Sequence, residues 1–215
     1  MFLNLPNTFS YYRLRALAVM QFLVLGLLAP THAVMAMSPE QVAQTLTQRD
    51  QILVMRHADA PGYSDPLGFR LGDCSTQRNL GDAGRTQARA IGAWLAQGLQ
   101  ASSVQKQIYS SPWCRCEETA RLLQLGPVRS EAVWGSFFER PQEEGRFRKG
   151  AKQFLKERFA ERLPNSPNPA MIVVTHQINL TSLIGSWVNV GEMIVLKFNA
   201  KGEVIAHQRL APVPY

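Results

Sequence analysis

The sequence predicts an α/β protein, a three-layer α/β/α sandwich built on a largely parallel central sheet. Three observations predict it. Residues 52–55 (ILVM) and 170–174 (AMIVV) are short, wholly apolar runs without alternation, the pattern of strands covered on both faces. Other stretches repeat apolar residues at three-and-four spacing, as helices with one buried face do. The two kinds of segment take turns along the chain instead of grouping, which favours a parallel sheet with helices on its faces.

Each element has its own signal. After the strand at 52–55, Asp82 can cap a helix whose buried face is Ala88, Ile91, Trp94 and Leu95. A strand is expected at 107–110 and a helix at 117–125. Phe147, Ala151, Phe154 and Leu155 mark a further helical stripe, which the proline-rich 164–169 loop ends. The strand at 170–174 is followed by a helix over 180–187 and by strands at 193–198 and 204–208. Repeats and low-complexity blocks are absent.

The first 36 residues stand apart. Arg13 and Arg15, the only charged side chains there, precede an apolar run from Ala16 to Ala29 broken only by Gln21, and small residues follow up to Ala33 and Ala36. That order is expected of a secretory signal peptide at 1–36, with a single domain at 37–215. The apolar run is short of the roughly 20 residues a membrane-spanning helix needs, so no stable span is expected after processing. The expected location is the periplasm or the medium. In such an oxidising compartment Cys74 is expected to pair with Cys114 or Cys116, leaving one thiol, with no bond at all as the alternative. Three cysteines in this spacing do not resemble a zinc site.

The 215-residue chain carries a formal net charge of +7. A basic protein attracts anions, be they phosphate esters, nucleic acid or anionic lipid. The basic residues are dispersed, without interleaved aromatics, which argues against nucleic acid. Ligands of such sheets bind at the carboxyl ends of the strands. Arg56 and His57 follow the first apolar strand, Arg115 lies just past the strand at 107–110, and His176 leaves the strand at 170–174. Three strand ends thus bring two arginines and two histidines to one edge. A cationic pocket of this make-up suits phosphoryl transfer: guanidinium groups match the charged equatorial oxygens of the transition state, and a neutral imidazole can attack phosphorus. Taken singly, each of the four would be an ordinary surface or structural side chain.

Four motifs carry a resemblance. The segments MRHA, NLGDAGRTQARAIG, IYSSPWCRCEETARLL and VVTHQ together resemble the histidine phosphatase superfamily, in its phosphoglycerate-mutase-like branch, from about Ile52 to Phe198. The resemblance implies the phosphoglycerate-mutase-like fold. It implies His57 as the phosphorylated nucleophile and Arg56, Arg115 and His176 as the phosphate-binding residues. The family usually has glycine after each histidine, where this chain has Ala58 and Gln177. A methyl at Ala58 would narrow or shift the pocket, and Gln177 could touch the substrate. A carboxylic acid between the second arginine and the second histidine would protonate the leaving oxygen. Glu139 fits best, with Glu192 and Glu143 as the alternatives; Glu143 and Glu144 lie on what reads as a solvated helix start. Arg78, Gln177 and Glu192 are candidate substrate contacts, and Arg70 and Arg140 could bind a second acidic group or form surface ion pairs.

The expectation is therefore a metal-independent phosphomonoesterase, without cofactor, that forms a phosphohistidine on a small or envelope-derived phosphate ester. The competing expectation is a secreted anion-binding module with the pocket but no turnover. A glycolytic mutase does not suit a secreted location, and the sequence carries no signal for oligomeric state.

Overall fold

The computed structural model describes residues 37–101 and 104–215; the expected leader at 1–36 lies outside them. Strand β1 (Gln51–Arg56) sends Leu53 and Met55 to one face of a sheet and Ile52 and Val54 to the other, all buried. β4 (Ala170–Thr175) does the same with Ile172 and Val174 against Met171 and Val173. Both faces must therefore be covered. Helices α1 (Pro39–Leu46), α2 (Asp82–Ala101) and α3 (Cys114–Leu122) supply Leu46, Leu95 and Ala120 to the first core. Helices α4 (Glu144–Glu161) and α5 (Gln177–Ile184) supply Phe147, Phe154, Leu155 and Leu180 to the second.

The remaining strands are β2 (Lys106–Ser110), β3 (Val128–Ser130), β5 (Met193–Phe198) and β6 (Val204–Arg209). The sheet order is β3-β2-β4-β1-β5-β6. The first four are parallel, and β5 and β6 add an antiparallel edge. This is the mostly parallel three-layer sandwich that the alternation of elements predicts.

Several details differ from the sequence reading. Asp82 lies in the first turn of α2 instead of capping it; there it pairs with Arg85 and sits favourably at the positive end of the helix dipole. Helix α3 starts at Cys114 and ends at Leu122, earlier at both ends than the expected 117–125. Helix α5 begins directly after His176 and stops at Gly185, whose φ of 74° no other residue adopts readily. The apolar tail of 180–187 had hidden that stop. Helix α1 was not foreseen, although Ser38 and Gln41 form a reciprocal capping box. Nor was β3, whose exposed residues show no apolar pattern.

Candidate active site

Register brings the chemistry together. β1 and β4 are neighbours with Arg56 opposite Thr175, and β2 lies on the far side of β4 with Ser110 opposite Val174. The next residues on each strand therefore leave the sheet side by side. The His57 and His176 rings meet edge to face with centroids 5.6 Å apart. Arg56, His57, Arg115 and His176 all line one cleft of about 900 Å³.

The turn after β1 is held from several directions. The His57 N–H donates to the Thr175 carbonyl at 2.9 Å, and the His57 carbonyl accepts from Gly191 N–H at 3.2 Å. The Ala58 N–H donates to Thr119 Oγ1 at 3.1 Å, while that hydroxyl donates to the Arg115 carbonyl at 2.7 Å. Thr119, one turn beyond Arg115 on α3, thus ties the second arginine's helix to the histidine's turn. Helix α2 approaches so closely that a side chain at Gly84 would stand 1.9 Å from the Asp59 carbonyl oxygen. Only glycine fits there.

His57 has a defined tautomer. Its Nδ1 lies 2.8 Å from the Ala58 carbonyl oxygen, which can only accept, so Nδ1 carries the proton and Nε2 keeps its lone pair. Burial lowers the His57 pKa well below the ordinary 6.5, and the Arg115, Arg78 and Arg56 charges push it the same way. His176 is lowered likewise, by burial first and Arg115 second. Both shifts favour the neutral ring, the form a nucleophile needs. The His176 Nε2 lies 2.7 Å from Ser111 Oγ, and the Trp113 ring packs edge-on against the imidazole.

Arg115 is almost fully buried and lies opposite a carboxylate that sequence reading did not single out. Its Nη1–H donates to Asp65 Oδ1 at 2.8 Å, with side-chain exposures of 5% and 6%. Asp65 also accepts from the Arg78 N–H at 2.9 Å and from Trp113 Nε1–H at 3.0 Å. Arg56 is oriented by its Nη1 bond to the Val188 carbonyl and stands over the Trp187 ring. Arg78 donates to the Ala60 carbonyl. The Nε–H groups of Arg56, Arg78 and Arg115 are buried without a partner among the described residues.

The other expected residues divide. Arg78, Glu139, Arg140 and Gln177 line the cleft. Glu139 is exposed at its mouth, and Gln177 donates to Thr181 Oγ1 at 2.8 Å. Glu192 does not line it: its carboxylate accepts from the Asn189 N–H at 2.7 Å and from Arg209, closing the turn before β5. Glu143, Glu144 and Arg70 do not line the cleft: Glu143 pairs with the cleft-lining Arg140, Glu144 accepts from Ser182, and Arg70 pairs with Asp73. The Ala58 methyl does not narrow the pocket; it packs against Ala60, Leu80 and Ala88. Asp59 and Asp65 join Glu139 as the cleft's carboxylates. Asp59 stands two residues past the nucleophile candidate, a signal that was present but unused.

Cys74 is bonded to Cys114, and Cys116 stays a buried thiol whose pKa burial pushes up to about 12. The bond ties the 57–81 loop, which carries Asp65 and Arg78, to the first residue of α3, next to Arg115. No group of three or more His, Cys, Asp or Glu side chains among the described residues is arranged to hold a metal ion, and no described helix is long and apolar enough to cross a membrane.

A strand-end cleft that pairs a lone-pair-bearing imidazole with several guanidinium groups suits an anionic ligand such as a phosphate ester. Residues 52–134 match the family model of the histidine phosphatase superfamily, branch 1, a span that includes Arg56, His57 and Arg115. No curated protein sequence matches the chain. Among solved structures, the protein histidine phosphatase SixA complexed with tungstate is 16% identical, covering 75% of this chain and 97% of its own, with a TM-score of 0.52. A mycobacterial glucosyl-3-phosphoglycerate phosphatase is 13% identical, covering 77% and 99%, also at 0.52. A protein described as mycobacterial hydrolase 1 is 13% identical, covering 76% and 98%, at 0.53. At these identities the likeness establishes the fold. The match of residues 52–134 to that family model, together with phosphatases among the fold neighbours, supports phosphatase activity in general terms.

Proposed function

We propose that the protein is a phosphomonoesterase that works through a phosphohistidine at His57. The observation that carries this reading is the Nδ1–H bond of His57 to the Ala58 carbonyl, which leaves Nε2 as a nucleophile in a cleft walled by Arg56, Arg115 and His176. Nε2 attacks phosphorus while the bond to the ester oxygen breaks, and the arginines take the charge on the equatorial oxygens. A protonated carboxyl gives its proton to the leaving alkoxide, and the resulting carboxylate then takes one from the water that cleaves the phosphoryl–nitrogen bond. Inorganic phosphate leaves and both groups are restored. No metal enters these steps.

Glu139 is the proposed donor, because it lies at the cleft mouth where a leaving group would exit. Asp59 is the second candidate. Asp65 is the poorest of the three, since both of its oxygens already accept from Arg115, Arg78 and Trp113. We place the protein in the periplasm or medium, on the strength of the leader-like 1–36 segment and the Cys74–Cys114 bond. The substrate is a small or envelope-derived ester, and no nucleic acid is involved.

Rapid-quench measurement with a labelled aryl phosphate tests the reading. The parent protein should show an acid-labile, base-stable phosphoryl group, and His57→Ala should show neither that group nor turnover. A binding module without catalysis would retain phosphate with no turnover even in the parent, and residual label on His57→Ala would move the nucleophile elsewhere.

A further inference from the structure

Resting on that phosphatase reading, we infer that the cleft selects phosphomonoesters whose alcohol is a long apolar chain. Eight large apolar side chains are exposed among the described residues, and four of them line this one cleft: Tyr63 (94% exposed), Leu71 (50%), Phe138 (52%) and Trp187 (62%). They come from three separate segments, the loop after β1, the loop after the 3₁₀ turn Ala132–Trp134, and the loop after α5. Chance exposure would scatter them singly over the surface; a cluster around a pocket marks a binding surface.

Their exposure is held in place. Arg209 Nη2 donates to the Trp187 carbonyl at 2.6 Å and to Ser186 Oγ at 2.8 Å, while Arg56 donates to the Val188 carbonyl. The backbone on both sides of Trp187 is thus fixed while its indole faces solvent beside the Arg56 guanidinium. Asn179 Nδ2 donates to the carbonyls of Trp134 and Gly135 at 2.8 and 3.0 Å, fixing the root of the loop that presents Phe138.

The cationic floor determines how a ligand lies. A phosphate held by Arg56, Arg115 and His176 leaves its ester oxygen facing the mouth, so the alcohol must run past the apolar rim. Water released from that rim favours an alcohol that covers it. A sugar or glycerol alcohol would leave the four apolar side chains wet, even where its hydroxyls reached polar neighbours such as Glu139, Arg140 and Gln177.

The experiment measures kcat/KM for ethyl, butyl, hexyl and octyl phosphate below their micelle concentrations, with glycerol 3-phosphate as the hydrophilic comparison. In parallel, equilibrium binding of the matching n-alkylphosphonates, which cannot be hydrolysed, reads recognition without chemistry. Both series should rise about two- to fourfold per methylene until the rim is covered, the upper figure being the transfer energy of one methylene. Trp187→Ala with Phe138→Ala should flatten the slope, and Ile205→Ala, an exposed apolar residue on β6 outside the cleft, should leave the slope as in the parent. Hydrolysis that is flat with chain length, or fastest for glycerol 3-phosphate, overturns this inference and leaves the phosphatase reading standing. Phosphonate binding with the expected slope but no hydrolysis of any ester overturns the phosphatase reading and leaves the ligand class. Neither turnover nor a binding slope overturns both.

Discussion

Replacing Asp65 by asparagine removes the carboxylate that Arg115 pairs with among the described residues. The two side chains are 6% and 5% exposed, and the asparagine keeps the shape while losing the charge. Its amide can accept through one oxygen only, so either Trp113 Nε1–H or Arg115 Nη1–H is left facing an NH₂ group. Removing one partner of a buried pair costs roughly 3–5 kcal/mol, and because the pair stands on the wall of an open cleft we take the lower end, about 3 kcal/mol. At about 2–4 °C per kcal/mol for a domain of this size, the melting temperature should fall by about 6–12 °C. Phosphate reverses part of this. With the carboxylate gone the guanidinium has no competing anion, so phosphate should bind more tightly and, by mass action, raise the variant's melting temperature more than the parent's. Circular dichroism melts with and without inorganic phosphate read both effects. A variant that melts within about 2 °C of the parent in the absence of phosphate would refute the energetic argument. A phosphate-induced rise no larger than the parent's would refute the competition between Asp65 and substrate.

The remaining predictions concern the acid, the pH response and the disulfide. Glu139→Gln should slow alkyl phosphates by roughly 10²- to 10⁴-fold and aryl phosphates much less, because an acid matters most for a poor leaving group; equal losses on both, with the selective loss at Asp59→Asn instead, would move the role to Asp59. His57 and His176 are held neutral with pKa values well below 6.5, so the unfolded chain binds more protons than the folded one just below that pH. Their contribution to stability is present above about 6.5 and is lost as pH falls below it, so the melting temperature should drop between pH 7.5 and 5; a rise over that window would contradict buried neutral rings. The Cys74–Cys114 bond closes a loop with a sequence separation of 40, worth roughly 4 kcal/mol in the chain-entropy account. A Cys74→Ser, Cys114→Ser pair, or reductant on the parent, should lower stability by up to that amount in a denaturant titration, and an unchanged midpoint would show that the loop is ordered without the bond.

The parts of the fold legible in the sequence were those set by local pattern. The runs at 52–55 and 170–174 contain no polar residue to compete with burial, and the stripe Phe147, Ala151, Phe154, Leu155 sits on one face at ideal helical spacing; all proved to be core elements. Element ends were less legible because caps override hydropathy. Gly185 stops α5 inside an apolar stretch, and His176 starts it without offering a side-chain cap. Arg56, His57, Arg115 and His176 were legible as a group because each ends a strand or follows one closely, and a parallel sheet aligns such positions at one edge.

The rest of the site was not legible because it depends on closure between distant segments. Asp65 looks like any polar loop residue until the chain brings it to Arg115, 50 positions away, and to Trp113 Nε1–H. Glu192 stands outside the cleft lining for the converse reason: Asn189 and Arg209 engage its carboxylate.

The 57–81 loop is where the shared fold becomes a particular protein. The sheet edge supplies the two histidines and positions α3, which any chain with this strand order could do. The loop supplies Asp65 against Arg115, the Arg78 guanidinium beside it, and the exposed Tyr63 and Leu71 at the mouth. It contains little regular structure of its own, so hydrogen bonds and a crosslink must hold it. Arg78 donates to the Ala60 carbonyl, Gln77 Nε2 donates to the Arg70 carbonyl while its Oε1 accepts from Cys114 N–H, and Cys74 bonds Cys114. Two of these ties end on the first residue of α3, adjacent to Arg115. The crosslink therefore does more than shorten the unfolded chain: it ties the loop that shapes the mouth to the helix start beside Arg115, the arginine proposed to hold the phosphate. Loss of the bond should thus raise KM for long-chain esters more than for ethyl phosphate, since the phosphate floor keeps its strand-end supports while the rim loses one of its anchors.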